Sequence, residues 1–236
     1  MVKISDRLKT VANMCHSGGV VADIGTDHAY LPIYLVSEGI AESAIAMDLR
    51  TGPLEKAKKH IRDNNLGDRI QTRLSDGLTR LGCGEADTVT ICGMGGRLIA
   101  QILTKGKEAI TPETQIIVSP QSEVGDFRHF LIDNNYAVIN EKMIKDEGKF
   151  YFIIECGYQR SVMNKNQYSQ AQYEYGWKLL ESKDEVLKEY LIKEKDANKS
   201  IMNHLINNSD NPVIKNRLSE LLVKEKVIDD ALSYFD

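Results

Sequence analysis

The sequence lacks several features that define common protein classes. Its four cysteines, at positions 15, 83, 92 and 156, show no C-x-x-C spacing and do not cluster with the five histidines. This scatter argues against a zinc site or a disulfide framework and favours a reducing compartment. Apolar runs reach only strand length, and the amino terminus lacks the apolar segment of a signal peptide. We therefore expect a cytoplasmic protein that uses no metal and does not bind membranes.

The chain also lacks an excess of basic residues. Its 30 Lys and Arg face 34 Asp and Glu, which gives a formal net charge of −4. Residues 1–160 hold 19 basic and 21 acidic residues, and residues 161–236 hold 11 and 13. Because nucleic-acid binding normally depends on Lys and Arg contacts to phosphates, any such surface must be a local patch. The candidates are Lys56, Lys58, Lys59 and Arg62 on one segment, and Lys142, Lys145 and Lys149 on another.

A single-glycine turn after a short apolar strand is the most informative segment of the chain. Residues 20–23 predict a buried strand that ends on the carboxylate of Asp23. Gly25 permits a tight turn, and Pro32 lies where the first turn of a helix is expected. Strand, glycine turn and helix form the nucleotide-binding corner of an open α/β sheet. A dinucleotide would need more glycines, and Asp23 and Asp27 would repel its pyrophosphate. The pattern favours a ligand with a cationic amine or sulfonium and no phosphate, such as S-adenosylmethionine.

Acidic residues also end the next two predicted strands. Asp48 ends the predicted apolar strand 43–48, 23 residues after Gly25, which suits a carboxylate that binds both ribose hydroxyls. Asp76 ends the predicted strand 70–77 and could reach the amine of an adenine, although Asp23 and Asp76 could instead cap the following helices. The predicted strand 87–92 runs into a flexible glycine segment. The candidate cofactor-binding residues are Asp23, Gly25, His28, Asp48, Leu49, Asp76, Gly77, Gly93 and Met94.

Alternation of strands and helices predicts a parallel α/β sheet over residues 1–160. Helices are expected at 7–14, 52–66, 96–105 and 123–134, and a fifth strand at 115–119. Segments 136–144 and 150–158, separated by a polar turn, predict an antiparallel hairpin that closes the sheet edge. This edge distinguishes class I methyltransferases from dinucleotide-binding folds.

Residues 161–236 predict a second, helical domain. Segment 161–172 is polar without a helical period and is interpreted as a linker. Beyond it, apolar residues at 180, 187, 191, 201 and 205, and again from 214 to 232, recur at helical spacing on either side of Asn211-Pro212. Two such helices form an antiparallel coiled-coil hairpin with an apolar seam. It could stabilise the fold, grip a substrate or mediate dimerisation; a monomer is favoured.

The chain resembles, from end to end, the bacterial tRNA adenine-22 N1-methyltransferase family, which joins a Rossmann-like domain to a C-terminal coiled coil. The resemblance is carried by Ala22–Pro32 (ADIGTDHAYLP), Asp76-Gly77, the Gly93–Gly96 segment (GMGG) and the N-terminal residues 7–12. Many relatives carry Glu where this chain has Asp48, and either acid can hold a ribose.

The resemblance implies methyl transfer from S-adenosylmethionine to N1 of an adenine in the tRNA D-arm. Asp27, His28 and Tyr30 are then the catalytic candidates, with Tyr30 stacking on or orienting the base. Arg7 is expected to reach a tRNA phosphate. Two other functions stay open. A methyltransferase of small molecules would not need the helical domain. A non-catalytic RNA- or protein-binding module would not need the cofactor acids Asp23, Asp48 and Asp76.

Overall fold

The computed structural model describes residues 2–159, 168–206 and 211–236, and the chain forms two compact units, Met1–Lys165 and Asn166–Asp236. The first unit contains a seven-stranded sheet in the order β3-β2-β1-β4-β5-β7-β6. Strands β1 to β5 are parallel, whereas β7 is antiparallel to β5 and β6. The strands are β1 Val20–Ile24, β2 Ser43–Asp48, β3 Ile70–Leu74, β4 Thr88–Cys92, β5 Gln115–Ser119, β6 Tyr136–Asp146 and β7 Lys149–Tyr158.

Among the described residues of this unit, five α-helices accompany the sheet: α1 Asp6–Met14, α2 Tyr30–Ser37, α3 Thr51–Asp63, α4 Gly96–Lys105 and α5 Val124–Asp133. Buried residues of α1, α2 and α3 form one apolar cluster with the sheet, and this cluster includes Ala44 and Ala46 of β2. Side chains alternate along a strand, so the buried Ile45 and Met47 point to the other face. The sheet is therefore covered on both faces, as parallel sheets require.

The predicted α/β class and the antiparallel hairpin at the sheet edge are confirmed. The predicted strand 70–77 is too long, because β3 ends at Leu74 and Asp76 lies in the turn that follows it. Polar side chains in that turn satisfy its backbone: Ser75 Oγ donates to the Gly77 carbonyl at 2.8 Å and accepts from the Arg80 N–H at 3.2 Å.

The second unit contains α6 Gln170–Tyr175, α7 Trp177–Glu181, α8 Glu185–Ile206 and α9 Pro212–Leu232. The linker prediction for 161–172 is wrong at its end, because Ser169 caps α6 in a reciprocal capping box with Gln172. Residues 160–167 of that predicted linker lie outside the described part of the chain. Leu180 belongs to the short α7 and not to the long helix, which begins only after the left-handed residue Lys183 (φ +51°).

Helices α8 and α9 run antiparallel along each other. Asn198 Nδ2 donates to the Leu221 carbonyl at 3.0 Å, and Lys224 Nζ lies 2.8 Å from Glu194 Oε1. Residues 207–210, which precede α9 in the chain, lie outside the described range, and coiled-coil packing stays a prediction. Within the described ranges, no helix is both long enough and apolar enough to cross a membrane.

Candidate active site

Backbone hydrogen bonds place the ends of neighbouring parallel strands side by side. The N–H groups of Gly25 and Thr26 both donate to the Met47 carbonyl, at 2.8 and 2.9 Å. The Ser75 N–H donates to the Asp48 carbonyl at 2.9 Å. The glycine turn after β1, the carboxylate that ends β2 and the turn that carries Asp76 therefore line one edge of the sheet. This edge is formed by the carboxyl ends of the parallel strands, where open α/β folds bind ligands.

Gly25 allows a neighbouring side chain to approach the backbone more closely than any other residue would permit. Its φ is +74°, a left-handed conformation that glycine adopts without strain. A Cβ at this position would collide with Cε of Met94, the residue that follows the left-handed Gly93 after β4. The flexible Met94 thioether thus lies over the bare backbone of Gly25, and its displacement would expose that backbone to a ligand.

Asp23 is the most deeply buried acid of this edge, with 6% of its surface exposed. Its Oδ1 accepts a hydrogen bond from Thr90 Oγ1 at 2.8 Å, so its carboxylate is engaged within the sheet rather than as a helix cap. Burial raises the pKa of Asp23, the Thr90 hydrogen bond opposes this rise, and the carboxylates of Asp27 and Asp48 add to it. A nearby cationic ligand would favour the charged form.

Asp48 ends β2 with only 11% of its side chain exposed, and its Oδ1 accepts the Arg50 N–H at 2.7 Å. The carboxylate is thereby held at the tip of the strand, as the ribose-binding prediction requires. The adjacent Leu49 is 65% exposed.

In the turn after β3, Gly77, at φ +57°, has no room for a Cβ, which would lie 2.9 Å from Cγ2 of Ile102. Asp76 Oδ2 lies 3.1 Å from Lys105 Nζ, so the Asp76 carboxylate forms an ion pair with this lysine. The alternative prediction for Asp76 was that it caps the following helix.

The residues after the glycine turn form a cluster of rings. His28 and Tyr30 are stacked with their planes 5° apart and their centroids separated by 5.4 Å. The ring of His60, from α3, is tilted against both, at 5.1 Å from His28 and 5.4 Å from Tyr30. Asp27 is 85% exposed at the side chain and its Oδ1 lies 3.5 Å from His28 Nε2. A flat, partly open aromatic surface with a carboxylate beside it suits a heterocyclic base.

Arg7 lies close to the same edge of the sheet. Its guanidinium lies 4.9 Å above the Tyr151 ring, and its Nη1 is buried without a hydrogen-bond partner among the described residues. Arg7 also lowers the pKa of Cys92, the last residue of β4, although burial dominates and raises that pKa to about 12. A buried cationic nitrogen without a partner near the strand ends is available to an anionic group.

The residues present fit S-adenosylmethionine. Carboxylates at the ends of β1 and β2 match its cations and ribose hydroxyls, and the glycine turn gives close access to the backbone. Within the described ranges, no group of three or more His, Cys, Asp or Glu side chains could hold a metal ion.

Comparison with known proteins places this architecture in a family. Residues 4–154 match the family model of a methyltransferase domain. Over 235 residues, the chain is 34% identical to the tRNA (adenine(22)-N(1))-methyltransferase of Bacillus subtilis, covering 99% of this chain and 98% of the relative. The chain belongs to the tRNA (adenine(22)-N(1))-methyltransferase family.

Solved structures of this methyltransferase family agree. The crystal structure of the B. subtilis m1A22 tRNA methyltransferase superposes with a TM-score of 0.86 at 33% identity, covering 98% of this chain and all of that one. A Streptococcus pneumoniae protein, described as a putative tRNA (m1A22) methyltransferase in complex with S-adenosyl-L-methionine, superposes with a TM-score of 0.85 at 30% identity. The coverage is again 98% of this chain and 100% of that one.

Two residues at this site of the methyltransferase were missed by sequence reasoning. Thr90 is a polar residue inside an otherwise apolar strand and lies directly opposite Asp23 in the β1–β4 register. His60 follows Ala57 by three positions, which places it beside the buried stripe of α3 formed by Leu54, Ala57 and Ile61. Helical spacing alone therefore indicated that His60 faces inward, but not which residues it meets.

Proposed function

We propose that this chain transfers a methyl group from S-adenosylmethionine to N1 of adenine 22 in the D-arm of tRNA. The observation that carries the proposal is the end-to-end match to a methyltransferase of this specificity, together with the Gly25 turn and the Asp48 carboxylate at one sheet edge. When bound, S-adenosylmethionine supplies an electrophilic methyl group on a sulfonium.

Asp48 would hold the ribose hydroxyls, and the backbone around Gly25 and Gly93 would lie against the cofactor. Asp76 would exchange its Lys105 partner for the adenine amine of the cofactor. The Asp23 carboxylate, whose pKa is raised by burial, would face the cationic end and gain from its charge.

The substrate requires little acid–base chemistry from the protein. Adenine N1 carries a lone pair and is largely unprotonated at neutral pH, so no base is needed to activate it. Rate is gained mainly by orientation. Tyr30 and His28 offer the stacked surface for the base, and the exposed Asp27 carboxylate would stabilise the positive charge of the N1-methyladenine product. Because N1 lies on the Watson–Crick edge, a paired target base must first leave its helix.

The tRNA backbone would be held by local basic groups, because the chain as a whole is acidic. Arg7, with its buried guanidinium nitrogen, is the candidate phosphate contact nearest the strand ends. The helical unit that follows residue 165 would place the D-arm. We further propose that the protein acts as a cytoplasmic monomer.

The reaction is tested with purified protein, labelled S-adenosylmethionine and tRNA transcripts made in pairs. We expect methylation of a transcript with adenine at position 22 and loss of at least about tenfold in rate when position 22 is guanine, because guanine N1 carries a proton. Equal labelling of both transcripts would contradict the assignment of the target. Labelling of small molecules but of no tRNA would favour the small-molecule alternative.

Replacing Tyr30 by alanine is expected to slow single-turnover methylation while leaving cofactor affinity within a few fold. Stacking of a base on an aromatic ring contributes about 1–3 kcal/mol, which corresponds to roughly a 5- to 150-fold effect. Tyr30→Phe retains the ring and should keep most of the activity if stacking dominates. The measurement is rapid-quench methylation at saturating cofactor. A Tyr30→Ala protein of lower thermal stability but full activity would assign Tyr30 to the core instead.

Truncation at residue 165 is expected to separate tRNA placement from cofactor binding. All proposed cofactor residues remain, so calorimetry should give near-normal S-adenosylmethionine affinity, whereas tRNA binding and methylation should fall strongly. Full methylation by the folded truncated protein would give the helical unit a structural or oligomeric role. Failure to fold would contradict the proposed division into two domains.

A further inference from the structure

The ring of His60 joins the proposed base-binding surface to helix α3. It contacts both His28 and Tyr30, with centroid separations of 5.1 and 5.4 Å. His60 belongs to α3, which is anchored by the buried Leu54, Ala57 and Ile61. The two stacked rings belong to the loop that follows β1 and to the first turn of α2. A side chain from one helix thus supports a surface built by another part of the chain.

His60 also binds the backbone of that loop. Its Nδ1 lies 3.2 Å from the His28 carbonyl oxygen, a distance at which a protonated Nδ1 donates a hydrogen bond. The bond requires either the Nδ1–H tautomer or the imidazolium form, and both are donors at this atom.

The loop at this point has a conformation that needs support. His28 and Ala29 are consecutive non-glycine residues with positive φ, +54° and +58°. Such residues are strained, and they persist only where the surrounding structure holds them. Ala29 also stands at the N-cap of α2 without a side chain that could cap the helix. The next residue, Tyr30, donates its N–H to the Asp27 carbonyl at 3.2 Å, which closes the loop.

One polar atom of the cluster is left for a ligand. The Nδ1 atom of His28 is buried and has no hydrogen-bond partner in the described part of the chain. Buried polar atoms normally have a partner, so this nitrogen indicates a group that is recruited with the substrate or cofactor. The direction in which this nitrogen points depends on the backbone of His28, and the hydrogen bond from His60 holds that backbone.

We infer that His60 is a positioning residue of the methyl-transfer reaction. Its hydrogen bond to the His28 carbonyl and its contact with both rings hold residues 27–30 in the strained conformation that orients His28 and Tyr30 toward the target base. The inference rests on the proposed function for its effect on rate, but its effect on the loop does not depend on the substrate.

The first test is hydrogen exchange of the Tyr30 amide in the full-length protein without substrate. His60→Ala is expected to speed this exchange at least about tenfold, because local opening controls amide exchange in such loops. Exchange in α5, far along the chain, serves as the internal reference. His204→Ala replaces an exposed histidine on α8, whose Nδ1 lies 2.7 Å from the Ser200 carbonyl oxygen of the same helix; it is the matched control and should leave the Tyr30 amide unchanged. Unchanged exchange at Tyr30 in folded His60→Ala overturns the inference, whatever the activity.

The second test separates positioning from general stability. Single-turnover methylation by His60→Ala should fall about 10- to 100-fold, a size typical of misplaced reacting groups, while the Kd for S-adenosylmethionine stays within about threefold. His60→Asn offers an amide donor toward the same carbonyl, and His60→Phe offers a ring without a donor. Rescue of both exchange and rate by either variant supports positioning and identifies which contact matters. If wild-type protein methylates no tRNA but His60→Ala still loosens the loop, the proposed function fails and the inference about the loop survives.

Discussion

Asp48→Ala is expected to abolish most of the affinity for S-adenosylmethionine without unfolding the protein. Hydrogen bonds to a charged group contribute about 1.5–3 kcal/mol each, so losing two ribose contacts should raise Kd by roughly two to four orders of magnitude. The carboxylate is held for this role: 11% of the side chain is exposed, and one oxygen is fixed by the Arg50 N–H at 2.7 Å. Isothermal titration calorimetry measures the loss directly.

The matched control for this prediction is Asp63→Ala. Asp63 ends α3, and its exposed carboxylate lies 3.0 Å from Lys59 Nζ, so its loss removes the same charge away from the sheet edge. Both variants should keep the wild-type circular dichroism spectrum. An Asp48→Ala protein that binds the cofactor with wild-type affinity would remove Asp48 from the site.

Glu141→Ala is expected to destabilise the fold strongly. The Arg128 Nε lies 2.8 Å from Glu141 Oε1, and both side chains are fully buried between α5 and β6. Removing one partner of a buried ion pair costs about 3–5 kcal/mol, because the remaining charge loses the opposite charge beside it. Urea denaturation followed by circular dichroism should show this as a large fall in the midpoint.

The control is the double variant Arg128→Met with Glu141→Leu, which removes both charges and fills the space with apolar side chains. It should lose far less stability than Glu141→Ala, because neither charge of the pair remains buried. A Glu141→Ala protein as stable as wild type would contradict the account of this pair.

The sheet was predictable because its signals are local. Ser43–Asp48 and Gln115–Ser119 coincide with their predicted bounds, since each is a short apolar run between polar segments. The start of the helical unit was not predictable in this way. In α6, the buried residues Ala171, Tyr173 and Tyr175 follow an alternating pattern within a polar segment, which has no helical period.

The candidate site likewise has features that were predictable from the sequence and features that were not. The positions of Asp23, Asp48 and Gly25 followed from the rule that the ends of parallel strands meet at one edge. The ion pair of Asp76 with Lys105, and the contact of His60 with His28 and Tyr30, join residues 29 to 32 positions apart in the sequence. Such contacts depend on how the helices pack, which no motif records. The strained φ values of His28 and Ala29 were equally hidden, because neither residue is glycine.

The central claim, methylation of N1 of adenine 22, is tested most directly by primer extension on tRNA from cells in which the gene for this chain has been deleted. N1-methyladenine blocks Watson–Crick pairing and stops reverse transcriptase one nucleotide before the modified base, so the stop assigned to position 22 is a cDNA that ends opposite position 23. We predict that the stop at position 22 disappears in the deletion strain and that the wild-type gene restores it, whereas a gene encoding Asp48→Ala does not. A stop at position 22 that persists at full strength in the deletion strain would contradict the account.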